Sequence, residues 1–140
     1  MVTIKSYTSL EQSEKLAEIL PLESADACWT NHLFGDLLSS FRVEGTPPQE
    51  YKHLLDRFVV KGYIIEPAWS LAALFNVIPQ EIFDGEYIIN ICEGCDNKWE
   101  LTYDHYENRN YSFYELSSCG DNLIDTCYEL VVKLYEHKLL

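Results

Sequence analysis

The stretch PAWSLAALFNVIP, residues 67–79, is the most strongly patterned part of the chain. Four apolar residues in it keep the spacing i, i+3, i+4 and i+7 of one helix face: Leu71, Leu74, Phe75 and Ile78. This spacing predicts an α-helix that is buried on nearly all sides. Pro67 suits the first helical turn, and Pro79 ends the helix. We expect Trp69 to fill one end of the core with its indole N–H on a carbonyl. The stretch therefore predicts core packing, and no chemistry.

Two earlier helices are predicted from their capping residues. Ser9 at the N-cap, with Gln12 three residues later, forms a capping-box pattern, and Pro21 ends that helix. Thr46 begins a second helix whose apolar residues keep the helical spacing, and Gly62 is a suitable end. Both helices should therefore turn one apolar face towards the core.

The clearest helix is the last one. Asp121 or Asn122 is expected to cap it, and it runs to about Lys138. Its apolar stripe consists of Ile124, Cys127, Tyr128, Val131, Leu134 and Tyr135. Because Cys127 belongs to this stripe, its thiol should be buried.

After Pro79 the periodicity changes to that of strands. The segments EYIINIC (86–92) and KWELTYD (98–104) alternate around a loop with Gly and Asp-Asn, which predicts a β-hairpin. YSFYEL, residues 111–116, is predicted as a third strand. Together these segments predict an antiparallel meander over residues 87–116.

The elements together predict an α+β fold, with about four helices packed on one small antiparallel sheet in a single pair of layers. A length of 140 residues is that of one ordinary domain, so we expect a single domain over 1–140. VTIKSY, residues 2–7, is a weak strand candidate. Residues 22–46 have no sustained period, and within them FGDLLSSF, residues 34–41, could form a short helical turn.

The charge of the chain is its strongest global feature. There are 23 acidic against 10 basic residues, for a formal net charge of −13. Between residues 81 and 129 there are 12 acids and only two bases, Lys98 and Arg109. Phosphate backbones require cationic neutralisation, so direct binding of nucleic acid is not expected.

An acidic surface interleaved with tyrosines fits a basic protein partner, or a mimic of the charge array of DNA. The alternative is that the carboxylates serve solubility alone. The residues predicted for this surface are Glu93, Asp96, Glu100, Asp104, Tyr106, Glu107, Tyr111 and Glu115. We refer to these residues below as the acidic surface.

The cellular location follows from apolar runs and cysteines. No run approaches the roughly 18 apolar residues of a membrane helix, and the N-terminus has no apolar signal-peptide core. The five cysteines are an odd number, which favours reduced thiols. We therefore expect a cytoplasmic protein without a membrane partner.

Cys92-x-x-Cys95 is the sharpest local motif, and it lies at the predicted hairpin turn. Such a pair can supply two of the four ligands of a structural zinc site, and a redox pair is a further alternative. An enzyme with cysteine or histidine chemistry near residues 92–114, using Cys92, Cys95 or His105, is another. No phosphate loop or hydrolase motif occurs, so no cofactor is predicted.

Several short motifs together resemble a group of small proteins without assigned activity, encoded in phages, prophages and mobile elements of gut anaerobic bacteria. The motifs are Ser24-Ala25-Asp26, PAWSL-x-AL at 67–74 with Ile78-Pro79, Trp99-x-x-x-Tyr103, and DNLIDTCYE at 121–129. The similarity runs from about residue 9 to 140 and is weakest over 30–66. Apart from Ser24, Asp26 and Asp125, the matching residues are typical of cores and caps. The resemblance implies a mobile-element origin and no particular activity.

The sequence thus favours a non-enzymatic accessory protein that binds a host or phage protein through the acidic surface. An enzyme near residues 92–114, or a zinc-stabilised module using Cys92 and Cys95, are the alternatives.

Overall fold

The computed structural model describes residues 5–31, 33, 34, 37, 38, 42–57 and 64–140. Four helices and small antiparallel sheets make up this described part, which confirms the predicted α+β class. The chain divides into two compact units, Tyr7–Ala73 and a second formed by Met1–Ser6 with Leu74–Leu140. Each unit has a sheet of its own, where the sequence predicted one sheet. The single domain over 1–140 stays a prediction.

The unit Tyr7–Ala73 combines two helices with a three-stranded antiparallel sheet. Its elements are α1 (Leu10–Ile19), β1 (Ala27–Asn31), β2 (Leu33–Phe34), β3 (Leu37–Leu38), β4 (Arg42–Glu44), α2 (Pro48–Arg57) and β5 (Ile64–Ala68). β1 is the central strand between β4 and β5. The pair β2–β3 is a separate two-stranded ladder.

The predicted capping box of α1 is confirmed. The backbone N–H of Gln12 donates to Ser9 Oγ at 3.2 Å, and the N–H of Ser9 donates to Gln12 Oε1 at 3.0 Å. Leu16 and Leu20 are buried, and Pro21 follows at once. These reciprocal bonds satisfy donors that a helix start otherwise leaves unpaired.

The stretch 67–79 begins differently from the prediction. Pro67 lies in strand β5 opposite Cys28, and the helix α3 (Leu71–Val77) starts four residues later. β5 is an edge strand, where a residue without an N–H can face away from the sheet. Ser70 precedes α3, and its Oγ accepts the N–H of Ala73 at 3.2 Å.

The predicted burial of this stretch is correct in part. Five of its residues are buried: Ala68, Trp69, Ala73, Leu74 and Ile78. Ala72 and Asn76 are exposed, so α3 is not surrounded on all sides. The indole N–H of Trp69 donates to Ser24 Oγ at 2.9 Å, a hydroxyl where a carbonyl was expected.

The second unit contains a four-stranded antiparallel meander covered by a helix. Its elements after α3 are β6 (Glu81–Ile82), β7 (Tyr87–Glu93), β8 (Trp99–His105), β9 (Ser118–Gly120) and α4 (Leu123–Glu136), and the strand order is β6-β7-β8-β9. Asn122 is the N-cap of α4, and Cys127 is buried as predicted. Tyr135 is exposed, while Leu130 joins the buried stripe.

The hairpin β7–β8 is confirmed, with Tyr87 opposite His105 and Glu93 opposite Trp99. Asp96 and Asn97 at its tip have positive φ angles of 64° and 58°. Asp and Asn tolerate this backbone conformation better than other residues with side chains. The predicted turn therefore forms from the residues expected.

The predicted third strand at 111–116 is wrong. Ser112 makes a single bridge with Asp104, and Tyr114–Leu116 is a 3₁₀ turn. Phe113 and the buried Leu116 are three residues apart, a period that suits a 3₁₀ turn. The actual third neighbour, β9, lies a few residues further on and pairs with β8.

Some predictions fall on other residues. Within the predicted helical turn 34–41, the described residues Phe34, Leu37 and Leu38 belong to short strands. Gly62 and residues 2–4, the first half of the predicted strand 2–7, lie outside the described residues. None of the described helices is long and apolar enough to cross a membrane.

Candidate functional site

The sheet of the second unit has one face towards α4 and one outer face. On the α4 side, Leu101 and Tyr103 are buried, and Ser118 Oγ–H donates to the carbonyl of Thr126 in α4 at 2.8 Å. Directly opposed residues of an antiparallel pair share a face. The outer face therefore carries the pairs Ile88–Asp104, Asn90–Thr102, Cys92–Glu100 and Glu100–Cys119.

The predicted acidic surface is distributed over three places in this unit. Glu93 and Asp96 lie at the tip of the hairpin, Glu100 and Asp104 on the outer face, and the other four residues in the segment 106–115. β7 has seven residues. At about 3.3 Å per residue, roughly 20 Å separate the hairpin tip from the segment that follows β8. The structure thus places these residues on one sheet and its loops, in three groups.

Asp104 is held by two neutral donors. Its Oδ1 accepts the hydroxyl of Ser112 at 2.6 Å, and its Oδ2 accepts the side-chain amide of Asn90 at 3.1 Å. Asn90 of β7 lies opposite Thr102 and so is the diagonal neighbour of Asp104 in β8. Ser112 lies beside Asp104 because these two residues form an isolated β-bridge. With both oxygens occupied, Asp104 is an oriented charge and a poor general base.

A cavity of about 250 Å³ opens beside Asp104. Its lining residues are Ile88, Ile89, Asn90, Asp104, His105, Tyr106 and Arg109. Asn90, Ser112 and Arg109 were not predicted for the site. The position of Asn90 opposite Thr102 follows from the register of the hairpin. The position of Arg109 could not be predicted, because it depends on a loop whose sequence has no periodicity.

His105 orders the loop that follows β8. Its Nδ1 accepts the backbone N–H groups of Glu107 at 3.2 Å and of Asn108 at 3.4 Å. Its ring stacks on that of Tyr106 with 5.1 Å between centroids, and its Nε2 lies 3.7 Å from Glu86 Oε1. The imidazole therefore positions the loop, and its Nδ1 is occupied as an acceptor.

His105, the histidine of the proposed enzyme site, does not lie beside Cys92. It lies on the outer face opposite Glu100, whereas His105 opposes Tyr87 and so belongs to the other face. Burial raises the pKa of the Cys92 thiol, and Glu100, Asp104 and Cys119 raise it further. A thiol with a raised pKa is less nucleophilic at neutral pH because less thiolate is present. Cys92 and His105 therefore do not form a cysteine–histidine pair. An enzyme near residues 92–114 stays a prediction.

The zinc hypothesis requires ligands around Cys92. Within the described residues, no three His, Cys, Asp or Glu side chains converge on a common point as metal ligands. The side chain of Cys95 is outside that description. Cys127 is buried in the apolar stripe of α4, so its thiol packs in the core and does not face a metal site at the hairpin. The zinc module stays a prediction.

Lysine and arginine do not neutralise the carboxylates of this unit. In the part of the chain that the structure describes, one of the 12 acids between 81 and 129 pairs with a lysine or arginine: Asp125 with Lys5, at 2.8 Å. Glu86 and Glu115 lie 3.7 Å from His105 and His137 respectively. Among the described residues, the negative charge of this unit is therefore largely uncompensated.

Three tyrosines stand among these carboxylates. Tyr106, Tyr111 and Tyr114 are 54%, 62% and 76% exposed. Large exposed aromatic rings are enriched at protein interfaces, where they contact apolar side chains and the flat faces of arginines. Exposed rings and exposed carboxylates are thus available on the same unit.

Comparison of the chain with protein-family models, with curated proteins and with solved structures gives no match in any of the three.

Proposed function

We propose that this chain is a non-enzymatic accessory protein, encoded by a phage or mobile element and acting in the cytoplasm, that binds a basic protein through its acidic surface. The observation that carries this proposal is the uncompensated charge of the second unit. Twelve acids lie between residues 81 and 129, and Lys5 is the one lysine or arginine paired with any of them among the described residues.

The exposed tyrosines make this charge more than a solubilising layer. A carboxylate alone gives long-range attraction that salt screens within about 10 Å. Tyr106, Tyr111 and Tyr114 add contact area with little conformational freedom to lose. A guanidinium-rich partner can engage both kinds of group, by ion pairs and by stacking on the rings.

If the basic partner is itself a DNA-binding protein, the acidic surface occupies the region that binds phosphates. The partner then recognises the spacing between the exposed carboxylates, as it recognises the spacing between phosphates. DNA and this chain therefore compete for the same site on the partner. Such competition weakens as the salt concentration rises, because both complexes depend on the same attraction.

The proposal is tested by affinity capture from a lysate of the bacterial host, at about 50 mM and about 300 mM salt. The variant Glu93→Gln/Asp96→Asn/Glu107→Gln removes three exposed charges of the acidic surface. The control variant Glu11→Gln/Glu23→Gln/Glu50→Gln removes the same number of exposed charges from the unit Tyr7–Ala73.

We expect a basic protein to be captured at low salt by the wild type and by the control, and at least about tenfold less by the surface variant. Equal capture by both variants would show that net charge alone is responsible. Recovery of no partner at low salt would contradict the proposal outright.

A further inference from the structure

The second half of strand β7 has an open edge. β6 pairs with β7 only at Tyr87 and Ile88, and one further bond joins the N–H of Ile89 to the carbonyl of Gln80 at 2.9 Å. Beyond Ile89, the described residues supply no strand on this side of β7. On its other side, β7 pairs with β8 along its whole length.

The direction of the free backbone groups follows from the register. In an antiparallel ladder, alternate residues point their N–H and C=O groups towards the same neighbour. The backbone N–H of Ile89 donates on the side away from β8, so the backbone N–H and C=O groups of Ile91 and Glu93 also point away from β8. The backbone N–H and C=O groups of Asn90 and Cys92 point towards β8. Ile91 and Glu93 therefore present N–H and C=O groups that no described backbone group accepts or donates to.

This edge is accessible, and one of its side chains is apolar. Ile91 is 41% exposed, and Asn90 and Glu93 are also exposed. Proteins usually protect such edges, because an unpaired strand accepts a strand from another chain. Here the protection is charge: residues 81–97 contain five acids and no lysine or arginine.

The charge decides which strand can be added. A second copy of this chain, with its formal charge of −13, would meet the five acids of this edge region and be repelled. An extended segment rich in lysine or arginine would instead gain attraction along the whole length of β7. The edge thus disfavours pairing with itself and favours a basic strand.

We propose that the edge Asn90–Glu93 of β7 receives an extended segment of a basic partner protein as an added strand of the sheet. Backbone bonds to Ile91 and Glu93 fix the segment, Ile91 contacts an apolar side chain, and the acids at the hairpin tip contact its cations. This inference rests on the proposed function and specifies how that partner is held.

The test uses the full chain and a fluorescent nonapeptide of alternating lysine and valine. Binding is measured by fluorescence anisotropy at about 50 mM salt. The same peptide N-methylated at every backbone nitrogen keeps the lysine charges and the valines but has no backbone N–H donors. We expect it to bind at least about tenfold more weakly to the unchanged protein.

Ile91→Pro tests the edge from the protein side. Proline removes an N–H that the β7–β8 ladder does not use, so the hairpin is retained. We expect at least about tenfold weaker binding of the unmodified peptide, while Ile91→Thr, which keeps the N–H, loses less than about threefold. Circular dichroism confirms that both variants are folded.

The outcomes separate the two proposals. If the lysine–valine peptide binds but neither N-methylation nor Ile91→Pro weakens it, strand addition is wrong and the acidic surface still binds basic chains. If the peptide does not bind at all, both proposals fail. If sedimentation shows a dimer that Ile91→Pro dissociates, a second copy occupies the edge, and the basic strand is wrong.

Discussion

Ser24, Asp26 and Asp125 are three polar residues of the motifs on which the proposed resemblance to mobile-element proteins rests, and each is hydrogen-bonded or ion-paired in the fold. Ser24 Oγ accepts the indole N–H of Trp69, and Asp26 accepts the N–H of Ser70 at 2.9 Å and its hydroxyl. Asp125 pairs with Lys5. At the residue scale, these three side chains therefore stabilise the units in which they lie.

The cysteines should differ sharply in reactivity towards iodoacetamide at pH 7.5. Burial raises the pKa of Cys127 to about 12, and burial and then Glu44 raise that of Cys28 to about 11, so neither forms thiolate readily. We expect Cys119, which is exposed, to be alkylated first and Cys92 more slowly. Mass spectrometry of peptides over time measures the order. Early labelling of Cys28 or Cys127 in the native protein would contradict this burial.

Gly120 has no room for a side chain. A Cβ atom there would lie 2.7 Å from Thr126 Oγ1, which is itself fixed by donating to the carbonyl of Asn122 at 2.8 Å. Gly120→Ala should therefore lower the free energy of unfolding by about 1–3 kcal/mol. In the control Gly94→Ala, the new Cβ meets the mobile carboxylate of Glu100 at 3.1 Å, so the loss should be smaller. Urea unfolding compares the two, and equal losses would contradict the steric argument.

At the scale of elements, the periodicity of apolar residues predicted the helices and strands that bury only one face. α1, α4 and the hairpin β7–β8 each expose one side, so their patterns are visible in the sequence. β1 is buried along most of its length and therefore shows no alternation. β5 was not predicted, because Pro67 is typical of a helix start. Proline is also tolerated in an edge strand such as β5.

The candidate site was predictable to a similar extent. Acids and tyrosines could be assigned to the hairpin and its loops, because strand alternation and turn residues identify those elements. The bonds from Asn90 and Ser112 to Asp104 could not, because they depend on strand register and on a loop without a repeating pattern. The free edge of β7 depends on the difference in length between β6 and β7, which composition does not reveal.

The packing of α1 against β5 places two carboxylates near each other. Burial, and then the charge of Glu14, raise the pKa of Glu66 above its usual value of 4.5. A carboxyl with a higher pKa in the folded than in the unfolded chain destabilises the fold while ionised. This cost is absent below the unfolded pKa and complete above the folded one.

Glu66→Gln should therefore raise the free energy of unfolding at pH 7 by up to about 1 kcal/mol. The gain should vanish towards pH 4, where Glu66 of the wild type is protonated. Urea titrations at both pH values measure it, with the exposed Glu23→Gln as control. A gain that persists at pH 4 would point to a cause other than charge.

At the scale of the whole molecule, the dominant property is an excess of negative charge. A formal charge of −13 on 140 residues opposes compaction by self-repulsion, and few ion pairs in the described residues offset it. The same repulsion disfavours association between copies of the chain, in agreement with the proposal that the exposed edge of β7 binds a basic partner.

Salt should therefore stabilise the protein. We expect the free energy of unfolding at pH 7 to rise by about 1 kcal/mol between about 20 mM and 500 mM sodium chloride, because the Debye length falls below the spacing of most surface charges. Thermal unfolding followed by circular dichroism measures this. A melting temperature that falls with added salt would show that attractive pairs dominate.

The two ends of the unit Tyr7–Ala73 are joined to each other. Tyr7 bridges Ser70, and the N–H of Thr8 donates to the carbonyl of Trp69 at 3.0 Å. Contacts between residues 7–8 and 69–70 thus hold the two ends of this unit together, and we refer to them as the clasp. Lengthening or shortening of the chain between β1 and β5 leaves this clasp, and the spacing between Ser6 and Leu74, unaltered. The proposed resemblance to mobile-element proteins is weakest in the same interval, over residues 30–66.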